Sequence, residues 1–128
     1  MERLDKFVTK RHAIAKHYEN FLSDLPVITP WQHPDSYSGF HLYVIRLKLD
    51  EVAKTQREVF AALHAAKIGV NLHYIPVYRQ PYYERLGFRE GYCLEAEKYY
   101  AEVISMPIFP RLTELQQDRV IDTLVKSL

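Results

Sequence analysis

The run His41-Leu42-Tyr43-Val44-Ile45-Arg46-Leu47-Lys48-Leu49 decides the fold. Tyr43, Ile45, Leu47 and Leu49 alternate with Leu42, Val44, Arg46 and Lys48, which is the two-residue period of a strand. The second set turns polar halfway along. The pattern therefore predicts one face buried throughout and the other buried only at its start. A helix follows it. Thr55-Gln56-Arg57-Glu58 is a capping box, in which the Thr55 hydroxyl accepts from the Glu58 backbone N–H and the Glu58 carboxylate reaches back. That helix buries Val59, Phe60 and Leu63, and Gly69 offers a left-handed exit beyond its end.

Upstream, residues 26–40 hold Pro26, Pro30, Pro34 and Gly39 with Asp35, Ser36 and Ser38. That composition is loop, with room for a short edge strand at residues 27–29. Before it, Leu4, Phe7, Val8, Ile14, Ala15, Tyr18, Phe21, Leu22 and Leu25 recur at three- and four-residue steps, the spacing of a helix. Pro26 ends it. Twenty-odd residues at 1.5 Å each span roughly 35 Å, as long as a small domain is wide. Two readings fit: a helix lying across one sheet, or a linker helix whose far end packs on another domain.

Downstream, a second strand is expected at residues 70–75, closed by Pro76. A short helix is expected at residues 79–86, and another along Leu94, Ala96, Tyr99, Tyr100 and Val103. Residues 104–108 read as a short strand, with Pro107 marking an edge or an end. Thr113-Glu114-Leu115-Gln116 is a second capping box, opening a helix with Ile121, Leu124, Val125 and Leu128 on its apolar stripe. The sum is a small α+β domain, with helices covering one face of a mainly antiparallel sheet.

Composition bounds the function. The chain has 128 residues, 48% apolar and 26% charged, with a formal net charge of +1. That is one domain with a real core. The balance argues against a strongly basic nucleic-acid binder. One cysteine excludes an internal disulfide and favours a reducing, cytoplasmic setting. No apolar run approaches the roughly 20 residues that span a membrane.

Six histidines are present without the H-x-x-x-H spacing of a helical metal site, and no zinc-binding cysteine pattern exists. His12, His17 and His64 read as solvated helix-surface residues. His41 and His73 open or lie within predicted strands. Were those strands neighbours, both side chains would point to one sheet edge, as ligand contacts or as general acids and bases. Cys93 has no nearby histidine and reads as structural or incidental. The four glycines are scattered, so no phosphate-binding loop is formed. None of the eight lysines sits in an apolar context that would desolvate its amine. The densest unusual stretch is residues 71–83, where tyrosine, histidine, arginine and asparagine surround two prolines. It suits contact with a sugar, a phosphate or an aromatic ring.

The run Gly69-Val70-Asn71-Leu72-His73-Tyr74-Ile75-Pro76-Val77-Tyr78-Arg79-Gln80-Pro81-Tyr82-Tyr83 resembles the C-terminal part of the DegT/DnrJ/StrS sugar aminotransferases. So do Ser38-Gly39-Phe40-His41-Leu42-Tyr43, Ala96-Glu97 and Ser105-Met106-Pro107-Ile108-Phe109-Pro110. The opening Glu2-Arg3-Leu4-Asp5 and the stretch from Leu112-Thr113-Glu114 to Ile121 match as well. The tyrosine-rich run is most similar to the branch that aminates UDP-linked 4-keto sugars for pseudaminic acid synthesis.

The resemblance implies the small C-terminal domain of a pyridoxal-phosphate enzyme of aminotransferase fold type I. Residues 1–25 would be the linker helix and residues 26–128 the small domain. The large cofactor-binding domain would be absent, so no catalytic residue and no cofactor is expected in this chain alone. The parent would transfer an amino group, usually from glutamate, to a nucleotide-linked ketosugar, and would work as a homodimer. The resemblance places His41, His73, Tyr74, Tyr78 and Tyr83 on the substrate side of the cleft. Tyr78 stands where the family often has histidine. Two other classes stay open: a stand-alone sugar- or peptide-binding module without catalysis, and an interaction domain docking through the first helix.

Overall fold

The alternating run becomes strand β2, Tyr43–Leu47, with Tyr43, Ile45 and Leu47 buried and Val44 and Arg46 half-buried. The structure, a computed structural model, describes residues 3–128; Glu2, at the head of one matching stretch, lies outside them. Strand β1 (Val27–Ile28) lies antiparallel to β2, with Val27 opposite Leu47. On the other side runs β3 (Val103–Met106), also antiparallel, with Tyr43 opposite Met106 and Ile45 opposite Ile104. The order is β1-β2-β3.

Because side chains alternate across a strand, Tyr43, Ile45, Ile104 and Met106 share one face. Helices α1 (Leu4–Leu22), α2 (Gln56–Ala65) and α5 (Glu114–Ser127) bring Ile14, Tyr18, Leu22, Val59, Leu63, Val120, Ile121 and Leu124 into one core with them. Both expected capping boxes are formed, at Thr55 with Glu58 and at Thr113 with Gln116. The opposite face meets α4 (Leu94–Glu102). There Arg46 Nε and Nη2 both donate to Glu102 Oε2, at 2.9 and 2.7 Å. The guanidinium also sits 5.8 Å from the Tyr99 ring centre.

Helix α1 enters the core by its second half only. Ile14, Ala15, Tyr18 and Leu22 are buried, whereas Leu4 and Phe7 are 55% and 45% exposed. Tyr18 Oη donates to the Pro107 carbonyl at 3.0 Å, and Gln117 Nε2 donates to the Ile14 carbonyl at 2.7 Å. No helix among the described residues is long and apolar enough to cross a membrane.

Four expectations are corrected. The strand at 41–49 is shorter, and Leu42 is exposed, so its second face is not buried at the start. The strand at 70–75 reduces to one bridge, Asn71 to Ser105. Its next rung, His73 to Val103, does not form, because the Val103 carbonyl accepts from Gln56 Nε2 at 2.7 Å and the Val103 N–H donates to the Tyr99 carbonyl, leaving neither group for the ladder. The helix at 79–86 divides into a 3-10 turn, Val77–Arg79, and α3, Pro81–Arg85. Pro81 fits the first helical position, where no N–H is needed. The strand at 104–108 starts at Val103 and stops before Pro107, which cannot donate to a ladder.

Candidate functional site

The 71–83 segment leaves the sheet at β3. Asn71 and Ser105 exchange both backbone hydrogen bonds, at 3.2 and 2.8 Å. Two residues later, His73 Nδ1 lies 2.6 Å from Ser105 Oγ. Ser105 is almost fully buried, whereas the His73 ring is half-buried. Tyr74 stands edge-on to that ring at 4.6 Å and is 71% exposed. His73 and Tyr74 thus form an aromatic, hydrogen-bonding corner at the sheet edge.

Tyr78 turns away from this corner. Its hydroxyl donates to Glu97 Oε1 at 2.6 Å and lies 3.1 Å from the Cys93 carbonyl. Glu97 Oε1 also accepts the Gly91 N–H at 2.8 Å. Gly91 has φ +86°, a conformation that glycine reaches without a steric penalty. Desolvation, and then the hydrogen bond to the Glu97 carboxylate, push the Tyr78 phenol above its ordinary range. The bonds from Tyr78 and Gly91 hold the Glu97 carboxyl below its usual value. This cluster ties the Val77–Arg79 turn to the start of α4. It occupies the Tyr78 hydroxyl within the chain.

Tyr83 packs edge-on against Phe88 and Tyr82, with ring centres 6.2 and 5.2 Å away. His41 is exposed and precedes β2. Strand β3 lies between β2 and Asn71, so His41 and His73 are not on neighbouring strands. The helix histidines are not simply solvated. His12 Nε2 lies 2.7 Å from the Ser38 carbonyl, and the ring stacks on Tyr37. His17 lies 2.8 Å from Asp118 Oδ1, and His64 lies 3.1 Å from the Val70 carbonyl.

Cys93 is exposed, and its backbone N–H and carbonyl both meet the Tyr78 hydroxyl. Among the described residues no group of three or more His, Cys, Asp or Glu gathers to hold a metal. Lys48 is half-buried and the other seven lysines are exposed. An amine that forms a covalent link to a carbonyl cofactor is activated by desolvation or by a neighbouring cation; seven lysines are open to solvent and Lys48 is paired with the Glu51 carboxylate at 3.4 Å, so the described residues do not fit pyridoxal phosphate. A concavity of about 770 Å³ runs as an open groove along α1, lined by His12, Lys16, Glu19, Trp31 and Phe40. None of the five substrate-side residues lines it. Sequence reading missed the partners Ser105 and Glu97, although both lie in stretches that carried the resemblance.

A three-stranded antiparallel sheet with helices on its faces, and a first helix running past its core, defines the small C-terminal domain of a fold type I aminotransferase. The chain belongs to the DegT/DnrJ/EryC1/StrS aminotransferase family, whose model matches residues 1–125. It is 33% identical over 125 residues to the spore coat polysaccharide biosynthesis protein SpsC of Bacillus subtilis, covering 95% of this chain and 32% of that protein. Among solved structures, DesV of S. venezuelae superposes with a TM-score of 0.85 at 31% identity, covering 98% of this chain and 33% of that one. Helicobacter pylori PseC, an aminotransferase involved in pseudaminic acid biosynthesis, gives 0.85 at 26% identity, covering 98% and 34%. The chain therefore spans about a third of the length of these relatives. The two TM-scores are equal, so the fold does not select the pseudaminic acid branch.

Proposed function

We propose that the chain is the small domain of an enzyme that transfers an amino group, from glutamate, to a nucleotide-linked ketosugar in surface polysaccharide or glycan biosynthesis. Residues 1–25 serve as the linking segment and residues 26–128 as the domain proper. The observation that carries this reading is the family match along residues 1–125 at a third of the relatives' length. The setting is cytoplasmic, and the working enzyme is a homodimer whose large domain supplies the cofactor site.

Pyridoxal phosphate, bound by that large domain, would carry the amino group between donor and sugar. This chain's own residues take the binding and orienting part. His73 and Tyr74 offer a hydrogen-bonding and a flat aromatic group at the sheet edge, and the resemblance adds Tyr83 and His41 as further substrate contacts. Tyr78 contributes through Glu97, by fixing the turn that carries the corner. The isolated chain is inactive, because seven of its lysines are exposed and Lys48 is held by Glu51, so none offers a cofactor site.

The test is an NMR titration of the chain with UDP-N-acetylglucosamine as a nucleotide-sugar probe. Weak, saturable shifts centred on His73, Tyr74 and Tyr83 are expected. Shifts confined to the groove beside Trp31, or none at millimolar probe, would overturn the assignment of this corner to substrate.

A further inference from the structure

Ser105 Oγ and His73 Nδ1 are 2.6 Å apart, and only one proton can lie between them. Two arrangements are chemically possible. In one, the Ser105 hydroxyl donates to a bare Nδ1, and His73 carries its proton on Nε2. In the other, Nδ1–H donates to the hydroxyl, and the serine proton must find a second acceptor. Ser105 is 4% exposed, and its hydroxyl has no other partner among the described residues. Its backbone N–H and carbonyl are already bonded to Asn71. A buried O–H without an acceptor costs on the order of 1–3 kcal/mol, so the first arrangement prevails.

We infer that Ser105 is a positioning residue that holds neutral His73 in the Nε2–H form, so that His73 meets an oxygen of the nucleotide sugar as a hydrogen-bond donor and not as a base. The identity of that oxygen acceptor rests on the function proposed above; the tautomer rests on the geometry alone. With Nδ1 committed to β3, Nε2 has no partner among the described residues and is not one of their buried unpaired polar atoms, so it is open to solvent. The donor is thereby fixed in direction as well as in kind. An acceptor oxygen, whether a sugar hydroxyl or a phosphate oxygen, fits it; a proton-donating group does not.

The experiment is a long-range proton–nitrogen spectrum of the nitrogen-labelled chain at about pH 9, where an ordinary imidazole is neutral. Exposed His41 serves as the internal reference for an untethered ring. His73 is expected as Nε2–H alone, while His41 shows the mixture of a free imidazole. In Ser105→Ala the His73 pattern should relax to that mixture. An Nδ1–H form at His73, or the same mixture as His41 in the unaltered chain, would overturn the inference, even if Ser105→Ala fails to fold. The titration of the preceding subsection fails independently, because it reads ligand contact and not proton position.

Discussion

Leu22→Ala and Phe7→Ala probe two ends of the same helix. Leu22 is fully buried in the core, whereas Phe7 is 45% exposed. Truncating a buried leucine removes about 2 kcal/mol of transfer free energy, and the cavity left behind raises the cost to about 3 kcal/mol. Truncating Phe7 forfeits little contact, and alanine's better helix propensity offsets about 0.5 kcal/mol of that. The net change at Phe7 should stay within about 0.5 kcal/mol. Urea unfolding of the two variants reads the difference directly. With a slope of about 1.5 kcal/mol per molar, Leu22→Ala should move the midpoint by about 2 M and Phe7→Ala by less than about 0.4 M. Equal losses would refute the view that the first turns of α1 project beyond the core. They would show a helix packed along its whole length.

Arg46→Met strands the buried Glu102 carboxylate and should cost about 3 kcal/mol, whereas Glu102→Gln leaves a partly exposed guanidinium and should cost about 1 kcal/mol; the reverse order in urea unfolding would contradict the burial argument. Glu97 has a depressed carboxyl pKa in the folded chain, so its tie to Gly91 is fully present above the ordinary value of 4.5 and is lost as pH falls through the lower folded value. The Gly91 amide shift should therefore titrate with a midpoint below 4.5, and Glu97→Gln should abolish that step while keeping an acceptor oxygen. In the UDP-N-acetylglucosamine titration, His73→Gln, which keeps a donor near the Nε2 position, should bind like the unaltered chain. His73→Phe should weaken binding about fivefold, the equivalent of one hydrogen bond of about 1 kcal/mol; equal binding by all three would remove His73 from the contact.

The parts of the fold legible in the sequence are those set by local chemistry. The alternation around Ile45 and the two capping boxes depend on neighbours a few residues away, and both boxes form as read. The strand expected at 70–75 failed on distant competitors, Gln56 and Tyr99, which take the Val103 backbone groups that its next rung needs. The apolar spacing of α1 ran along the whole helix, but spacing does not say what covers each turn. Only the half from Ile14 onward found a partner in this core. The site was legible as a segment and not as a geometry. His73 and Ser105 are 32 residues apart, and their contact depends on the register that sets Ser105 between Val44 and Asn71. Tyr78 was read by resemblance as a substrate-side residue; its ties to the Cys93 carbonyl and the Glu97 carboxylate, 15 and 19 residues on, had no local signal. His12 was hidden in the same way, because its stacking partner Tyr37 comes from the loop beyond β1.

The central claim is that this chain is one domain of an aminotransferase and lacks the cofactor site. The most direct test is to add pyridoxal phosphate to the pure chain, record the visible spectrum, reduce with borohydride and measure the intact mass. The account predicts no cofactor-specific band and no single lysine labelled in stoichiometric amount. One lysine labelled to completion, or measurable transamination by the chain alone, would contradict it and place a cofactor site within these 128 residues.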